Sequence, residues 1–429
     1  MADQAAAPRT PSSRWPAVQP HLAWIGPLAL AAYYLWLFPP TIWAGIRGDA
    51  LWVAVAVVGV IGLFVRRLVI QARGGQVLFI RPTELMAIEV LAAALVDDAE
   101  NSTANGLRDL HLYLNAGMQF VAGAQVYTPQ PIDRYPSDLG FLPFLYPPVT
   151  LPLFGGLSQL PPVLTDAGWL LGSLAIVIAC LRLLGLSWPW TIAALAWTPI
   201  EQGLFVGNIA VPSFFLLAVA IRLPVALVFG PLAKPQNAIP ALWLVRERRW
   251  RPIAVGVAIV LTAIVVTLPM TGPGRWAEWV DGLFTYQESQ RLLPGLYGIG
   301  LGRYLPGWLY AAIVVVVILL ALVPRGREGL ARTSLASVVA SPSLWSHGYL
   351  MAIPAFLRMR SFWLWICAGL LCAGAFPGPQ LALAIAVAGW LVPAMRRDRE
   401  RPDDGPHPLG TAAEPWPMPA GAWRPGDTR

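Results

Sequence analysis

The sequence predicts an all-α polytopic membrane protein of about 11–13 transmembrane helices, with amphipathic helices on its outer face. Three observations carry that reading. The 429-residue chain is 56% hydrophobic and only 12% charged, about half the charged fraction of an ordinary soluble domain. Apolar runs near the roughly 20 residues that cross hydrocarbon recur along it. Arginines cluster in short loops just beyond those runs, as the positive-inside rule expects of cytoplasmic loops.

The elements follow in order. Residues 1–20 form a Pro/Ala/Ser-rich tail that lacks the parts of a signal peptide and reads as disordered and cytoplasmic. Residues 21–396 form the transmembrane domain. Spans are expected near 22–38, 50–65 and 79–96, the last despite Glu84 and Glu89. A polar, aromatic loop over 97–147 then emerges outside. Further spans are expected near 141–158, 166–184, 187–203, 208–222 and 224–245. Seven prolines between Pro189 and Pro240 interrupt that region, so short, broken helices around a polar cavity are the physical expectation. A span near 252–269 leads to a second external segment, 270–305, whose middle reads as an amphipathic surface helix. Spans near 306–323, 333–346, 348–357, 361–376 and 380–395 complete the domain, and 397–429 form a disordered cytoplasmic tail.

Composition excludes several classes. The formal net charge of +7 is distributed as loop arginines such as Arg246, Arg248, Arg249 and Arg251, which argues for topology rather than nucleic-acid binding. Cys180, Cys367 and Cys372 lie in apolar runs and give neither a disulfide framework nor a metal-ligand spacing. No internal repeat and no phosphate-binding GxxxxGK[ST] loop is present. Neither a cofactor nor a metal is called for.

Six of the chain's 23 acidic residues lie in the 97–147 loop. Asp109 opens its amphipathic stretch DLHLYLNAGMQFV. It can cap a helix, or it can take a proton from an acceptor hydroxyl where water meets bilayer. Asp97 and Asp98 are rivals that mark the end of a span. Lys234 is the one lysine among 30 basic residues and sits in apolar sequence between Pro231 and Pro235. An ionisable group at depth is a functional candidate, and a compact ammonium suits a phosphate oxygen; the alternative is an interfacial lysine on open carbonyls. His347 follows a proline-marked turn and can converge with Asp109 from the other end of the chain. His111 is a weak metal-ligand candidate. Tyr113, Gln119, Tyr127, Tyr135 and Tyr146 give the loop a rim that suits a sugar, although aromatics also mark any membrane interface. Glu201, Gln202 and Asn208 can close helix breaks or line a cavity.

Taken in order, these residues resemble glycosyltransferase family 87, the GT-C fold membrane mannosyltransferases that use polyprenyl-phosphate sugars. The series is Asp109, Leu110, Tyr113, Ala116, Gly123 and Tyr127; then Tyr146-Pro147-Pro148, Leu160-Pro161, Gly207-Asn208, Lys234-Pro235 and Arg246 to Trp250; and finally Ser341-Pro342, Trp345 and His347. It covers roughly 105–360. The resemblance implies a GT-C-like bundle with Asp109 as catalytic base, and Lys234 and His347 at the donor phosphate. It implies an external active site, which turns Lys234 outward by a short hairpin over 209–245. Asn208 stands where the family often has Gln, and Ser346 where an acidic residue is common.

The function expected is an inverting hexosyl transfer. A polyprenyl-phosphate sugar, mannose by resemblance, passes to a glycolipid or glycan acceptor of the cell envelope, with Tyr113, Gln119, Tyr127, Tyr146 and Asn208 at the substrates. The expected location is a bacterial plasma membrane, with the site facing outward or to the periplasm. The expected partners are donor, acceptor and bilayer, and no nucleic acid. The rival classes are a secondary transporter, which usually carries inverted repeats, and a lipid-linked polymer ligase or polymerase relying on external Arg275, Arg291 and Arg303.

Overall fold

The computed structural model describes residues 107–127, 130–132, 143–186, 190–191, 194–195, 197–372 and 377–397. Both expected tails, the spans near 22–38, 50–65 and 79–96, Asp97, Asp98 and Tyr135 lie outside the described residues. Within them there are thirteen α-helices joined by 3-10 segments, and no strand.

Helix α1 (Arg108–Val121) buries Asp109, Leu110, Tyr113, Ala116 and Gly117, the one-sided spacing of an amphipathic helix. It packs on α2 (Leu151–Leu157). The approach is so close that a Cβ on Gly117 would lie 2.3 Å from the carbonyl carbon of Phe154, so glycine is required there. Next come α3 (Pro162–Leu183), α4 (Thr198–Phe205) and α5 (Ala210–Val219).

Where a span was expected over 224–245, the chain instead forms four short pieces. These are a 3-10 helix at Pro224–Phe229, α6 (Gly230–Ala233), a second 3-10 helix at Pro235–Ala241, and α7 (Leu242–Arg246). Pro224, Pro231 and Pro235 each sit at the start of a piece, where the missing N–H costs least. The prolines therefore set the breaks, as expected for the region.

The expected span near 252–269 and the expected surface helix beyond it are one element, α8 (Trp250–Leu292), broken by a kink at Gly272. That glycine has φ +66° and lies between Pro269 and Pro273, so the helix changes direction where a left-handed residue is cheapest. Then come α9 (Gly307–Ala321), α10 (Gly326–Val339), a 3-10 run at Ser346–Ala352, α11 (Ile353–Phe356), α12 (Ser361–Cys372) and α13 (Gly378–Leu391).

Helix α10 begins several residues before the span expected at 333–346. Hydropathy misses its start because Arg327, Glu328 and Arg332 are charged; Arg332 is nonetheless buried, as are Thr333, Ser334 and Ser337 inside the expected span. Their polar groups are satisfied inside the helix. Thr333 Oγ1 donates to the Gly329 carbonyl at 2.9 Å, and Ser334 and Ser337 donate to the carbonyls three residues back at 2.7 Å. Arg332 Nε donates to Glu328 at 2.8 Å.

Two helices, Pro162–Leu183 and Trp250–Leu292, are long and apolar enough to cross a membrane. Only 6% of the apolar window of α8 is buried, and Val255, Leu261, Val265 and Val266 are exposed along it. A helix that buried its apolar side in a soluble core would not show them.

The molecule has two polar ends. At one, Arg246 donates to the carbonyls of Leu322 and Val323, Glu247 accepts from the Gly326 amide, and Glu328 pairs with Arg332 and Arg358. Four of the arginine clusters of the sequence gather there. At the other end, the part of α8 beyond Gly272 covers the α1–α2 region. Arg275 reaches the Gly123 carbonyl, and Trp279 Nε1 donates to the Leu145 carbonyl at 3.0 Å. The helical run from Trp250 to Thr271 separates the ends by about 33 Å at 1.5 Å per residue, close to the thickness of a hydrocarbon layer.

Candidate active site

The site starts at the N-terminus of α1. Leu107 adopts a left-handed conformation (φ 54°). Its N–H donates to the Phe205 carbonyl at 2.7 Å, and the N–H of Asp109 donates to the Val206 carbonyl at 2.8 Å. The start of α1 is thereby fixed to the end of α4. The turn that follows α4 needs Gly207: its φ is +68°, and a Cβ there would come within 3.0 Å of the Leu110 Cβ. Asn208 is carried next to Asp109 by this turn.

Asp109 is 5% exposed. One carboxylate oxygen accepts Arg108 Nε at 3.0 Å, and the other accepts Asn208 Nδ2. The orientation of the Asn208 amide is determined, because its carbonyl accepts the Ala210 N–H at 2.7 Å. Its NH2 group therefore faces the carboxylate. Asp109 does not cap α1: no side-chain cap is formed there.

Lys234 ends α6 in extended conformation. It lines a small, partly open cavity with Ser213, Gln236, Asn237, Ser337 and Ser341. His347, 4% exposed, is held in the 3-10 run Ser346–Ala352 against α4, where its Cβ lies 3.5 Å from the Cβ position of Gly203. The charges of Asp109 and Lys234 act on each other, and both act on the His347 ring. Burial first, then the Lys234 charge, pushes His347 down to about 3, so its imidazole is neutral at physiological pH. Asn208 thus bonds Asp109, and Lys234 and His347 lie close enough for charge to act among them, from four elements spread over about 240 residues of chain.

The aromatic residues divide. Tyr113 and Tyr127 are 1% and 2% exposed and pack with Phe144 and Phe154, so in this state they support the site rather than form a rim. Tyr113 Oη meets Tyr146 Oη at 3.1 Å and accepts the Ile209 N–H at 3.3 Å. Burial, Tyr146 and the Asp109 charge hold the Tyr113 phenol well above its ordinary pKa, so it remains protonated as a hydrogen-bond donor. Tyr127 Oη donates to the Tyr146 carbonyl at 2.8 Å. Tyr146 and Gln119 are half-buried, and the Asp109 charge reaches Tyr146.

Other candidates fall elsewhere. His111 is exposed and pairs with Asp166 at 3.1 Å, and no cluster of three or more His, Cys, Asp or Glu suited to a metal occurs among the described residues. Arg275 pairs with Glu278 at 2.8 Å and Arg291 with Glu288 at 3.0 Å. Arg303 lies over the Tyr304 ring at 5.6 Å. Sequence reasoning did not single out Gln236, Asn237 or Ser337. Gln236 and Asn237 could have been found as polar residues directly after the K-P pair; Ser337 carries no such signal, because a serine in a helix is usually bonded to its own backbone.

Comparison with family profiles matches residues 144–354 to glycosyltransferase family 87. No curated protein and no solved structure matches the chain.

Proposed function

We propose that the chain, which matches the model of glycosyltransferase family 87 over residues 144–354, is a polytopic membrane hexosyltransferase. It moves mannose from a polyprenyl-phosphate donor to a glycolipid or glycan acceptor, with inversion, at the outer face of a bacterial plasma membrane. The observation that carries this reading is that the charges of the buried Asp109 and Lys234 act on each other and on His347, with Lys234 lining a cavity. The Trp250–Thr271 run, about one hydrocarbon thickness long, separates the arginine-rich end from the α1–α2 region, which supports the outward placement.

The chemistry follows from the groups. Asp109 takes the proton of the acceptor hydroxyl, whose oxygen forms a bond to the anomeric carbon. The bond from that carbon to the phosphate oxygen breaks, and the electron pair leaves with the polyprenyl phosphate. Lys234 balances the charge gained by the leaving phosphate, where a fixed cation in a dry site is most effective. His347 is neutral, so it serves as a hydrogen-bond donor to that phosphate rather than as a proton source. Asn208 holds the carboxylate in place, while Tyr146 and Gln119 are the candidates nearest the substrates.

The test is transfer of labelled mannose from polyprenyl-phosphate-mannose to a glycolipid acceptor by the purified protein. Asp109→Asn is expected to lower kcat by about 10²–10⁴-fold. Equal turnover by the two proteins would remove Asp109 from the role of base.

A further inference from the structure

A second, partly open cavity lies at the arginine-rich end of the molecule. Its charged lining is Glu328, Arg332, Arg358 and Arg396, and its apolar wall includes Met359 and Trp390. Three guanidiniums thus meet one carboxylate. Glu328 accepts Arg332 Nε at 2.8 Å and also Arg358 Nε. Arg332 lies over the Trp390 ring at 5.4 Å, and Arg396 donates to the carbonyls of Gly389 and Trp390. These bonds fix the arginines but leave positive charge in excess. The hydrogen bond of Arg358 uses Nε alone, so its Nη1 and Nη2 have no bonded partner among the described residues. Arg327 lies close enough for its charge to act on Arg358 as well.

Preorganised guanidiniums with free terminal N–H groups are suited to a phosphate, which accepts paired hydrogen bonds. The cavity also has an apolar border: Leu391 and Val392, beside Trp390, are 65% and 42% exposed. We propose that this cavity binds the phosphate of an anionic phospholipid headgroup, at the arginine-rich end of the molecule. The headgroup phosphate meets Arg358 and Arg396, and the acyl chains lie along α13. A free phosphate has the same charge but makes no use of that border. The lipid source rests on the membrane placement proposed above; the anion site does not.

The experiment is titration of the purified full-length protein, in neutral detergent, with dihexanoyl phosphatidylglycerol, dihexanoyl phosphatidylcholine and inorganic phosphate, read by native mass spectrometry. Phosphatidylglycerol should bind saturably and about tenfold more tightly than phosphatidylcholine, and Arg358→Gln should weaken it about tenfold. Glu328→Gln should tighten binding, because it removes the competing carboxylate. A purely structural ion cluster would not respond in that opposite sense. Phosphate binding as tight as that of phosphatidylglycerol would support the anion site and overturn the lipid as its source. Equal binding of the two lipids, or unchanged binding by Arg358→Gln, would overturn the proposal. So would weaker binding by a Glu328→Gln protein that retains the wild-type elution volume. If that variant does not fold, Arg358→Gln decides alone. Sugar transfer is not the readout, so this site and the transfer site can fail independently.

Discussion

Asp109 and Glu328 are both carboxylates in the first turn of a helix, and both touch arginine, yet their surroundings differ. Both oxygens of Glu328 accept from guanidiniums, those of Arg332 and Arg358. Asp109 has one guanidinium, from its neighbour Arg108, and one neutral amide, from Asn208. The further cation acting on it, Lys234, lines a cavity. Glu328 has both oxygens taken by guanidiniums and ties together segments of the chain around residues 328–332 and 358. Asp109 is oriented by its partners and retains lone pairs, with a cation near enough to act on a third party between them. The contrast teaches that arginine contact alone does not identify a structural carboxylate; the identity of the second partner decides.

The contrast can be broken in four places. The largest effect is expected from Lys234→Met, which removes the cation on the Asp109 side of the cavity: kcat for mannose transfer should fall by about 10²–10³-fold. Lys234→Arg should restore little, because a planar fork does not replace a compact ammonium. Wild-type turnover by either variant would detach Lys234 from the reaction. Next is Glu328→Gln, whose thermal midpoint in detergent should fall by the equivalent of roughly 2 kcal/mol. Fully buried pairs lose 3–5, but the Glu328 and Arg358 side chains are 26% and 33% exposed. An unchanged midpoint would show the cluster to be dispensable to the fold.

Asn208→Ala sharpens the comparison, since it frees one oxygen of Asp109 without altering charge. About a tenfold loss in kcat with little change in KM is expected of a positioning residue. A rise in KM alone would instead make Asn208 a substrate contact. The smallest effect concerns His347. The unfolded chain takes up a proton near pH 6.5, whereas the folded protein does not until about 3. The folded state is therefore favoured at high pH and loses stability as pH falls below about 6.5, by about 1 kcal/mol at pH 6 from this group. His347→Gln should remove that part of the pH dependence of the thermal midpoint. A variant with the wild-type slope would place the dependence elsewhere.

Much of this arrangement was legible in residue chemistry. A lone lysine between prolines, an acid at the start of an amphipathic stretch and a histidine after a proline turn are rare in apolar sequence, so each stood out singly. The breaks over 224–246 followed from the prolines. What could not be read was pairing. Nothing in the spacing of Asn208 shows that its carbonyl is taken by Ala210 and its NH2 turned to Asp109. The arginines at 332 and 358 look like loop charges by hydropathy, and only their meeting at Glu328 makes them part of a cluster. The aromatic loop misled in another way: Tyr113 and Tyr127 have the polar tips expected of sugar contacts, yet their rings fill the space between α1 and α2, and their hydroxyls bond inward. Hydropathy also divided α8 at its proline–glycine break, whereas φ at Gly272 lets helix continue on both sides.

Two backbone bonds, from Leu107 to Phe205 and from Asp109 to Val206, have a kinetic meaning. They rivet the acid and its amide partner into a single block, so neither can swing aside. Traffic through the cavity must then be governed by its other walls. The short proline-delimited pieces around Lys234 and the arm of α8 beyond Gly272 are the parts with joints. If Asp109 is the base proposed above, it stays still while those jointed parts move.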